Sequence, residues 1–465
     1  MRYYSTRDKS INADFSQAAL CGLAPDGGLF VPEEIPQYSA QVRLSLGTMD
    51  FRDIAFETIK PYVYDVITDS ALSDIVHEAF TFGAPAVCVL DRYSVELFHG
   101  PTAAFKDFGA RFMARAFSHL RRGEDKPLRI LVATSGDTGG AVADGFFDVP
   151  GINVTVLYPL GRVSALQERQ IAGLGKNISA IAVKGSFDDC QRLVKAALSD
   201  EDLKKRMSLS SANSINISRL IPQAVYYSAA AGRINAGLAD PDGEATPRLK
   251  KRKGQNEDSD LYTQGMRLPV VLCVPSGNFG NLTAGLYAMK MGAPVFQFAA
   301  ATNINKTFPD YLDSGEYEAR TSQATISNAM DVGSPSNFER MAAHFTLDQM
   351  RKIILGVSVT DDETRETIER IHDETGYFLD PHSAVGWKGI DKLIAKKKID
   401  KSIYQAGSIG ILATAHPAKF SEVVEPITGS PPVPAALSKA MERDVNAKTI
   451  PADVSAFIDY LNENN

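Results

Sequence analysis

The stretch VVLCVPSGNFGNLTAGLYAM, residues 270–289, joins a continuous apolar run to a glycine-rich polar loop and then to a helical pattern. A run that is apolar at every position is typical of a parallel strand buried on both faces. The loop lies where open α/β sheets bind ligands, and its glycines allow backbone N–H groups to surround an anion. The stretch therefore predicts an α/β sheet with an anion site in this loop.

Other parts of the chain repeat this pattern. Apolar runs at 129–133, 153–158 and 178–183 alternate with helical segments, and a second polar glycine loop begins ATSGDTGG at 133–140. The alternation favours buried parallel strands flanked by helices on both faces. Neither loop matches G-x-G-x-x-G or G-x-x-x-x-G-K-[ST], so the signatures of nucleotide binding are absent.

A single lysine, Lys106, stands in LFHGPTAAFKDFGARF at 97–112, where a loop is predicted to enter a helix. Phe105, Phe108 and Phe112 recur at helical spacing and are expected in the core, so Lys106 would be drawn inward with them. A lysine in such a place can form a Schiff base with a carbonyl group. It can also be a structural lysine whose amine reaches solvent. The residues alone leave both roles open.

Length and composition limit the class of protein. The chain has 465 residues, which indicates more than one domain, and its net charge of −7 offers no global attraction for nucleic acid or an anionic membrane. No apolar run resembles a signal peptide or a membrane span, so a cytoplasmic protein is expected. The four cysteines are far apart and predict buried, reduced thiols, and the histidines show no metal-ligand spacing, so no metal site is predicted.

Six motifs, taken in order, resemble those of the threonine synthase family. They are GLAPDGGLFVPEEIP at 22–36, HGPTAAFKDF at 99–108, SGDTGGA at 135–141, PSGNFGN at 275–281, DPHSAVG at 380–386 and TAHPAKF at 414–420. The resemblance extends from about residue 4 to about residue 420. It implies a two-lobed α/β enzyme of the tryptophan synthase β-like class (fold type II), each lobe a mainly parallel sheet flanked by helices, with a small N-terminal domain.

The resemblance also implies pyridoxal 5'-phosphate as the cofactor and assigns residues to it. Lys106 would be the Schiff-base lysine, and Thr414 would be the neutral partner of the pyridine nitrogen. The phosphate and the ring would be held by Gly277, Asn278, Phe279 and Asn281.

Substrate contacts follow less directly from the resemblance. The SGDTG loop takes the position at which relatives bind a substrate carboxylate, so Ser135, Asp137 and Thr138 are expected to line the site. An ionised Asp137 would repel a carboxylate, so backbone N–H groups and hydroxyls are expected to make that contact, with Asp137 near the cofactor. Asp137 as a simple helix cap is the alternative. A departing phosphate needs a cation, and Arg219 is chosen because a guanidinium suits a phosphate dianion.

Approximate domain boundaries follow from the same pattern. We predict an N-terminal domain at 1–95, a small α/β lobe with Lys106 at 96–225, and a large α/β lobe with the phosphate loop at 226–465. Residues 240–265 are charged and poor in large apolar groups, which indicates an exposed insertion.

The activity implied by the resemblance is a carbon–oxygen lyase reaction that converts O-phospho-L-homoserine and water into L-threonine and phosphate. The nearest alternative is a phospho-lyase that releases an α-keto acid, ammonia and phosphate, because relatives of that kind share the cofactor motifs. A catalytically silent cofactor-binding regulator is a third hypothesis, which the retention of Lys106 and Thr414 disfavours. We expect a monomer or a weak homodimer, with no nucleic-acid or membrane partner.

Overall fold

The computed structural model describes residues 1–238, 269–400, 403 and 408–464 of the chain. The insertion predicted at 240–265 lies outside the described residues. Within the described ranges, none of the helices is long and apolar enough to span a membrane.

The described strands form three sheets, of which two are mainly parallel. A five-stranded sheet is parallel throughout, in the order Ala447–Pro451, Ile178–Lys184, Ile152–Pro159, Leu128–Ala133, Ser208–Ser211. A six-stranded sheet has one antiparallel edge pair, and its order is Ile354–Ser358, Val295–Thr302, Val270–Pro275, Ile409–Ala413, Arg92–Glu96, Ala86–Val89. A small antiparallel sheet near the N-terminus has the order Asn12–Ala13, Tyr3–Ser5, Phe30–Pro32.

The four strands predicted from apolar runs are confirmed, and both faces of each are buried. In Leu128–Ala133, Ile130 packs into the largest core cluster, whereas the adjacent Leu131 packs into a separate cluster on the opposite face. In Val270–Pro275, Leu272 and Cys273 divide between two clusters in the same way. Burial of one large aliphatic side chain contributes about 1.5 to 3 kcal/mol, so these uniform apolar runs stabilise both layers of helices.

Most helices lie in these covering layers or in the N-terminal region. Their starts are commonly fixed by a side-chain cap, as at Asp14, Ser164, Ser186, Thr346 and Thr360, each of which forms a capping box. The α-helices are Phe15–Cys21, Ala40–Ser45, Phe51–Val63, Asp69–Ala79, Lys106–Leu120, Asp137–Phe146, Ala165–Ala172, Phe187–Ser199, Glu201–Arg206, Ile217–Leu220, Ala224–Asn235, Gly280–Met291, Thr307–Ser314, Phe338–His344, Leu347–Ile353, Asp361–Thr375, Pro381–Ala395, Ser421–Thr428, Ala435–Met441 and Val454–Glu463. Single 3₁₀ turns occur at Ile221–Gln223, Asn328–Met330 and Pro417–Phe420.

Two strand pairings cross the boundaries predicted near residues 95 and 225. Strand Arg92–Glu96 pairs with Ile409–Ala413 in the six-stranded sheet, although the chain then continues into the five-stranded unit. Strand Ala447–Pro451 returns from the C-terminal region to the edge of the five-stranded sheet, next to Ile178–Lys184. The predicted domain ranges therefore stay a prediction, and neither sheet is built from one continuous segment.

The prediction of four buried thiols is wrong for two of them. Cys190 and Cys273 are buried, whereas Cys21 and Cys88 are exposed, and all four are free. Cys21 ends its helix and Cys88 lies in the edge strand Ala86–Val89, positions where one side of the chain faces solvent.

Candidate active site

A cleft of 580 Å³ lies where the carboxyl ends of strands from both parallel sheets meet. Strand Leu128–Ala133 leads into it at Ser135, strand Val270–Pro275 at Ser276, and strand Ile409–Ala413 at Thr414. Ligands of open α/β sheets bind at such ends. The predicted site residues that line this cleft are Lys106, Ser135, Thr138, Arg219, Gly277, Asn278, Phe279, Asn281 and Thr414.

The loop between strand Val270–Pro275 and helix Gly280–Met291 has the shape of an anion cradle. Phe279 takes a left-handed conformation with φ of 60°, which turns the chain directly into the helix. A Cβ atom on Gly277 would lie 2.9 Å from the carbonyl oxygen of Ala329, so only glycine fits this backbone path. The N–H groups of a helix's first turn have no acceptor within the helix, and they carry the positive end of its dipole. The loop is therefore suited to a phosphate group.

Asn281 and Asn278 are held in place by hydrogen bonds on either side of this loop. Tyr226 and Tyr227 donate from their hydroxyls to Oδ1 of Asn281, at 2.5 and 2.7 Å. Nδ2 of Asn281 is buried and has no partner among the described residues. Asn278 donates from Nδ2 to the Ser214 hydroxyl at 2.7 Å and accepts the backbone N–H of Ser336 at 2.6 Å. Asn281 thus presents a free donor, whereas the Asn278 side chain fixes the loop to its neighbours.

Lys106 is the first residue of helix Lys106–Leu120, as predicted, and its side chain is 14% exposed. Phe108 is fully buried, as is Phe112. The expectation that Phe105 is also core is confirmed in part, because Phe105 is half-buried and packs against the core cluster, but it also lines the cleft, with the Lys106 Nζ atom 4.9 Å from its ring centroid. Burial lowers the pKa of Lys106, and the nearby charges of Lys419 and Arg219 lower it further, against the opposing effect of Asp137.

Asp137 is the counter-charge of Lys106 and lies behind the cleft surface. Its Oδ2 atom is 3.1 Å from Nζ of Lys106, and its Oδ1 atom is 2.9 Å from Nζ of a second buried lysine, Lys419. Gln167 also donates to Oδ1 at 3.0 Å. Burial of Asp137 would raise its pKa, but the charges of Lys106 and Lys419 outweigh burial and hold it well below the ordinary value. Asp137 is the first residue of helix Asp137–Phe146, after the N-cap Gly136, and its carboxylate pairs with two lysines, so the alternative of a simple helix cap is wrong.

Arg219 is 2% exposed and belongs to the short helix Ile217–Leu220. Its Nη1 atom donates to the carbonyl oxygen of Ala212, and its Nε atom has no partner within the described part of the chain. Burial lowers the pKa of Arg219 to about 10, against the charges of Asp107 and Tyr226, so the guanidinium remains a cation at neutral pH. The side chain therefore brings a positive charge to the cleft wall, and its Nε donor is buried and unpaired.

The remaining predicted residues lie at the ends of two strands. Ser135 and Thr138 line the cleft on either side of Gly136, which has a positive φ of 137°. A Cβ atom on Gly136 would lie 2.4 Å from the Gln167 side chain, so glycine is required there. Thr414 is buried, and its carbonyl oxygen accepts the backbone N–H of Phe105 at 2.9 Å, which ties the end of its strand to the start of the Lys106 helix.

This arrangement meets the chemical requirements of pyridoxal phosphate. The cofactor needs an amine, a phosphate cradle and a partner for its ring nitrogen. Lys106 supplies the amine, and Thr414 supplies a hydroxyl-bearing side chain at the cleft wall. The cradle at Gly277 and the orphaned Nδ2 of Asn281 fit an anionic group. The residues present therefore fit the cofactor.

Sequence reasoning missed three polar residues at the site. Lys419 and Gln167 both contact Asp137, and His382 lines the cleft with its Nε2 atom lacking a partner among the described residues. Lys419 and His382 both stand in motifs quoted above, TAHPAKF and DPHSAVG. A lysine among apolar residues was the available signal for Lys419, and it is the same signal that identified Lys106.

Comparisons with protein families match three parts of the chain. The family described as "Threonine synthase N terminus" matches residues 2–80, and "Threonine synthase, C-terminal" matches residues 383–461. The family described as "Pyridoxal-phosphate dependent enzyme" matches residues 260–408.

Curated relatives match over nearly the whole chain. The threonine synthase of Escherichia coli strain K12 is 40% identical over 461 residues, which cover 98% of this chain and 98% of that protein. The threonine synthase of Saccharomyces cerevisiae is 34% identical over 484 residues, with 91% of this chain and 88% of that protein covered.

Solved structures agree with the sequence matches. The crystal structure of Escherichia coli threonine synthase has a TM-score of 0.86 at 38% identity, with full coverage of both chains. A pyridoxal-phosphate-bound threonine synthase from Brucella melitensis has a TM-score of 0.84 at 34% identity and covers 100% of this chain and 99% of that one. Maize serine racemase, with a TM-score of 0.52 at 14% identity, shares the fold over 74% of this chain and 92% of that one.

Proposed function

Because the chain belongs to the threonine synthase family of pyridoxal-phosphate enzymes, we propose that it converts O-phospho-L-homoserine and water into L-threonine and phosphate. The observation that carries this proposal is the meeting of Lys106, the loop from Ser276 to Asn281 and Thr414 in one cleft. Arg219, a buried cation with a free donor, lines the same cleft and adds a site for a second phosphate.

The cofactor has a defined place in this proposal. When bound, pyridoxal phosphate supplies an electron sink for charge that develops on the substrate carbons. Its phosphate would be held by the N–H groups at the start of helix Gly280–Met291 and by Nδ2 of Asn281, with Gly277, Asn278 and Phe279 shaping the loop. Thr414, which lines the cleft, would be the neutral partner of the ring nitrogen.

Lys106 moves protons in the reaction. Conversion of the substrate removes protons from its α and β carbons and later returns protons to carbon, so a base near neutral pH is needed. A lysine serves when its proton affinity is reduced, and burial together with the charges of Lys419 and Arg219 lowers the pKa of Lys106. Its Nζ atom at the cleft surface is the group that takes and returns these protons.

The substrate is oriented by its two charged ends. Its carboxylate is held by Ser135, Thr138 and N–H groups at the start of helix Asp137–Phe146, with Asp137 turned away toward the two lysines. Its phosphate is held by Arg219, a buried cation that lines the cleft. Holding both ends places the α and β carbons near Lys106, which reduces the entropy cost of reaction.

The proposal extends to the setting in which the enzyme works. We propose a cytoplasmic protein that acts on a small molecule as a monomer or a weak homodimer. Light scattering of the purified chain across a hundredfold range of concentration would measure the oligomeric state, and a stable assembly of three or more copies would contradict this part of the proposal.

The experiment that tests the function counts all products together. Purified protein is incubated with O-phospho-L-homoserine, and threonine, α-keto acid, ammonia and phosphate are measured in the same sample. Threonine and phosphate in equal amounts are expected, and Lys106→Ala should abolish both. Keto acid, ammonia and phosphate without threonine would establish the phospho-lyase instead, and absence of turnover with the cofactor bound would favour the silent regulator.

A further inference from the structure

Lys419 is a fully buried lysine that makes no contact with the substrate or the cofactor in the proposed reaction. It lies in the 3₁₀ turn Pro417–Phe420, five residues after Thr414, and its side chain is 0% exposed. Its Nζ atom is 2.9 Å from Oδ1 of Asp137 and donates to the carbonyl oxygen of Thr102 at 2.8 Å. A buried ammonium is costly unless its partners are fixed, so this one is held by two specific contacts.

The two oxygens of Asp137 are divided between two lysines. Oδ2 faces Lys106, and Oδ1 faces Lys419 and the amide of Gln167. Lys106 must lose its proton to act as a base or a nucleophile, whereas Lys419 is enclosed and touches no part of the cleft surface. If Lys106 were the sole counter-charge of Asp137, the carboxylate would be buried and unpaired whenever Lys106 lost its proton.

We propose that Lys419 is a positioning residue, the standing counter-charge that holds Asp137 ionised and in place whether or not Lys106 carries a proton. This inference rests on the proposed function, because it explains how Lys106 becomes reactive. Lys419 shares the charge of Asp137, so the carboxylate attracts the proton on Lys106 less strongly. It also offsets the repulsion between Asp137 and a substrate carboxylate at the Ser135–Thr138 loop.

Other titratable groups interact electrostatically with Lys106, Asp137 or Lys419. Arg219 is a further positive charge that acts on Lys106, and His382 acts on Asp137. Lys419 also acts on Asp107 and on His416, which precedes its own turn. A substitution at Lys419 leaves the charge of Arg219 in place, so its effect on Lys106 can be measured against that background.

The test measures how readily Lys106 loses its proton in the full chain freed of its cofactor. Cyanate reacts with the neutral amine, and mass spectrometry of the peptide that contains Lys106 gives its labelling rate from pH 6 to 10. The midpoint of this profile is the pH at which the labelling rate is half its maximum. In Lys419→Gln, which keeps a hydrogen-bond donor but removes the charge, we expect the midpoint to move to higher pH. At pH 7.5 the rate should fall roughly tenfold, as expected for the loss of a neighbouring like charge.

Lys419→Arg is the matched variant, since it keeps the positive charge, and its midpoint should stay near that of the parent chain. An unchanged midpoint in Lys419→Gln, or an equal displacement in both variants, would overturn the proposal. If Lys419→Gln does not fold, Lys419→Met, which fills a similar volume without a charge, takes its place. The same upward displacement is expected there, and a midpoint equal to that of the parent chain would overturn the proposal.

This measurement does not depend on substrate turnover, so it can fail independently of the proposed function. A displaced midpoint in a chain that makes no threonine would contradict the proposed function alone. An undisplaced midpoint in a chain that does make threonine would contradict the role of Lys419 alone.

Discussion

The hydroxyl of Tyr227 donates a hydrogen bond of 2.7 Å to Oδ1 of Asn281, at the first turn of helix Gly280–Met291. Tyr226 donates to the same oxygen. These two bonds orient the amide so that its Nδ2 atom is left as a buried donor without a partner in the described residues. The tyrosines, which lie in helix Ala224–Asn235, therefore orient a free donor in the loop that we propose as the phosphate site.

Asn281→Asp should weaken cofactor binding. It replaces the free amide donor by a carboxylate that repels phosphate and that the two tyrosine hydroxyls still hold in the same orientation. Loss of a hydrogen bond to a charged group costs about 1.5 to 3 kcal/mol, which is roughly ten- to hundredfold in Kd. Titration of the cofactor-free chain by absorbance measures this Kd. Equal affinity in the variant and the parent chain would show that Nδ2 makes no contact with the phosphate.

Gly277→Ala should also weaken cofactor binding, for a steric reason. The added methyl would lie 2.9 Å from both the Ala329 carbonyl oxygen and the Met330 Cα atom, and these backbone atoms can move only if the loop moves. Overpacking of this kind costs about 1 to 3 kcal/mol. Gly83→Ala is the control, because a Cβ atom there has no described heavy atom within 4 Å. A cofactor Kd that changes equally in both variants would contradict the role of this loop.

Arg219→Met should raise KM for the phosphorylated substrate, since the proposed phosphate contact is lost. Removal of one partner of a buried charge pair costs about 2 kcal/mol or more, which is roughly thirtyfold. Inhibition by inorganic phosphate should weaken by a similar factor, whereas inhibition by L-threonine, which has no phosphate, should change little. Arg219→Lys should have a KM between that of the parent chain and that of Arg219→Met. If threonine and phosphate inhibition weaken together, Arg219 has a structural role only.

Protonation of His344 should reduce stability in mild acid. Burial, followed by the charges of Arg340, Lys290 and Lys9, lowers the pKa of His344 from 6.5 to about 4. The unfolded chain therefore binds a proton more readily than the folded chain, and stability is lost as pH falls from 6.5 towards 4. After allowance for partial exposure, the loss from this group is about 2 kcal/mol.

His344→Phe should remove that part of the pH dependence. The ring packs against Tyr287 with centroids 5.4 Å apart, and its Nε2 atom is buried without a described partner, so phenylalanine can take its place. Urea denaturation at pH 8, 6.5, 5 and 4 measures the free energy of unfolding. The variant and the parent chain should differ by a constant amount above pH 7 and should diverge below it. Parallel curves over the whole range would contradict this account.

The central strands and the start of the Lys106 helix could be predicted from sequence for a physical reason. A strand buried on both faces is apolar over most of its length, so runs such as 130–133 and 270–274 carry a strong local signal. The glycine loops could also be predicted from sequence, because a backbone that approaches an anion closely has no room for side chains and therefore needs glycine.

The rest of the site depends on contacts between distant parts of the chain. Asp137 forms an ion pair with Lys419, which is 282 residues later, and no local sequence pattern predicts that pair. Strand Ala447–Pro451 could not be recognised either, because it is an edge strand with exposed Lys448 and Thr449, so it lacks a continuous apolar run. Phe105 shares the spacing of the core phenylalanines but faces the cleft, a distinction that periodicity cannot make.

The cofactor's attachment point is the most direct test of this account, because two buried lysines, Lys106 and Lys419, flank the same carboxylate. Borohydride reduction of the loaded protein fixes the cofactor to the amine that holds it, and peptide mapping by mass spectrometry identifies that residue. We expect the label on Lys106 alone, with none in Lys106→Ala. Label on Lys419, or on any lysine outside the cleft, would contradict the assignment on which the proposed reaction depends.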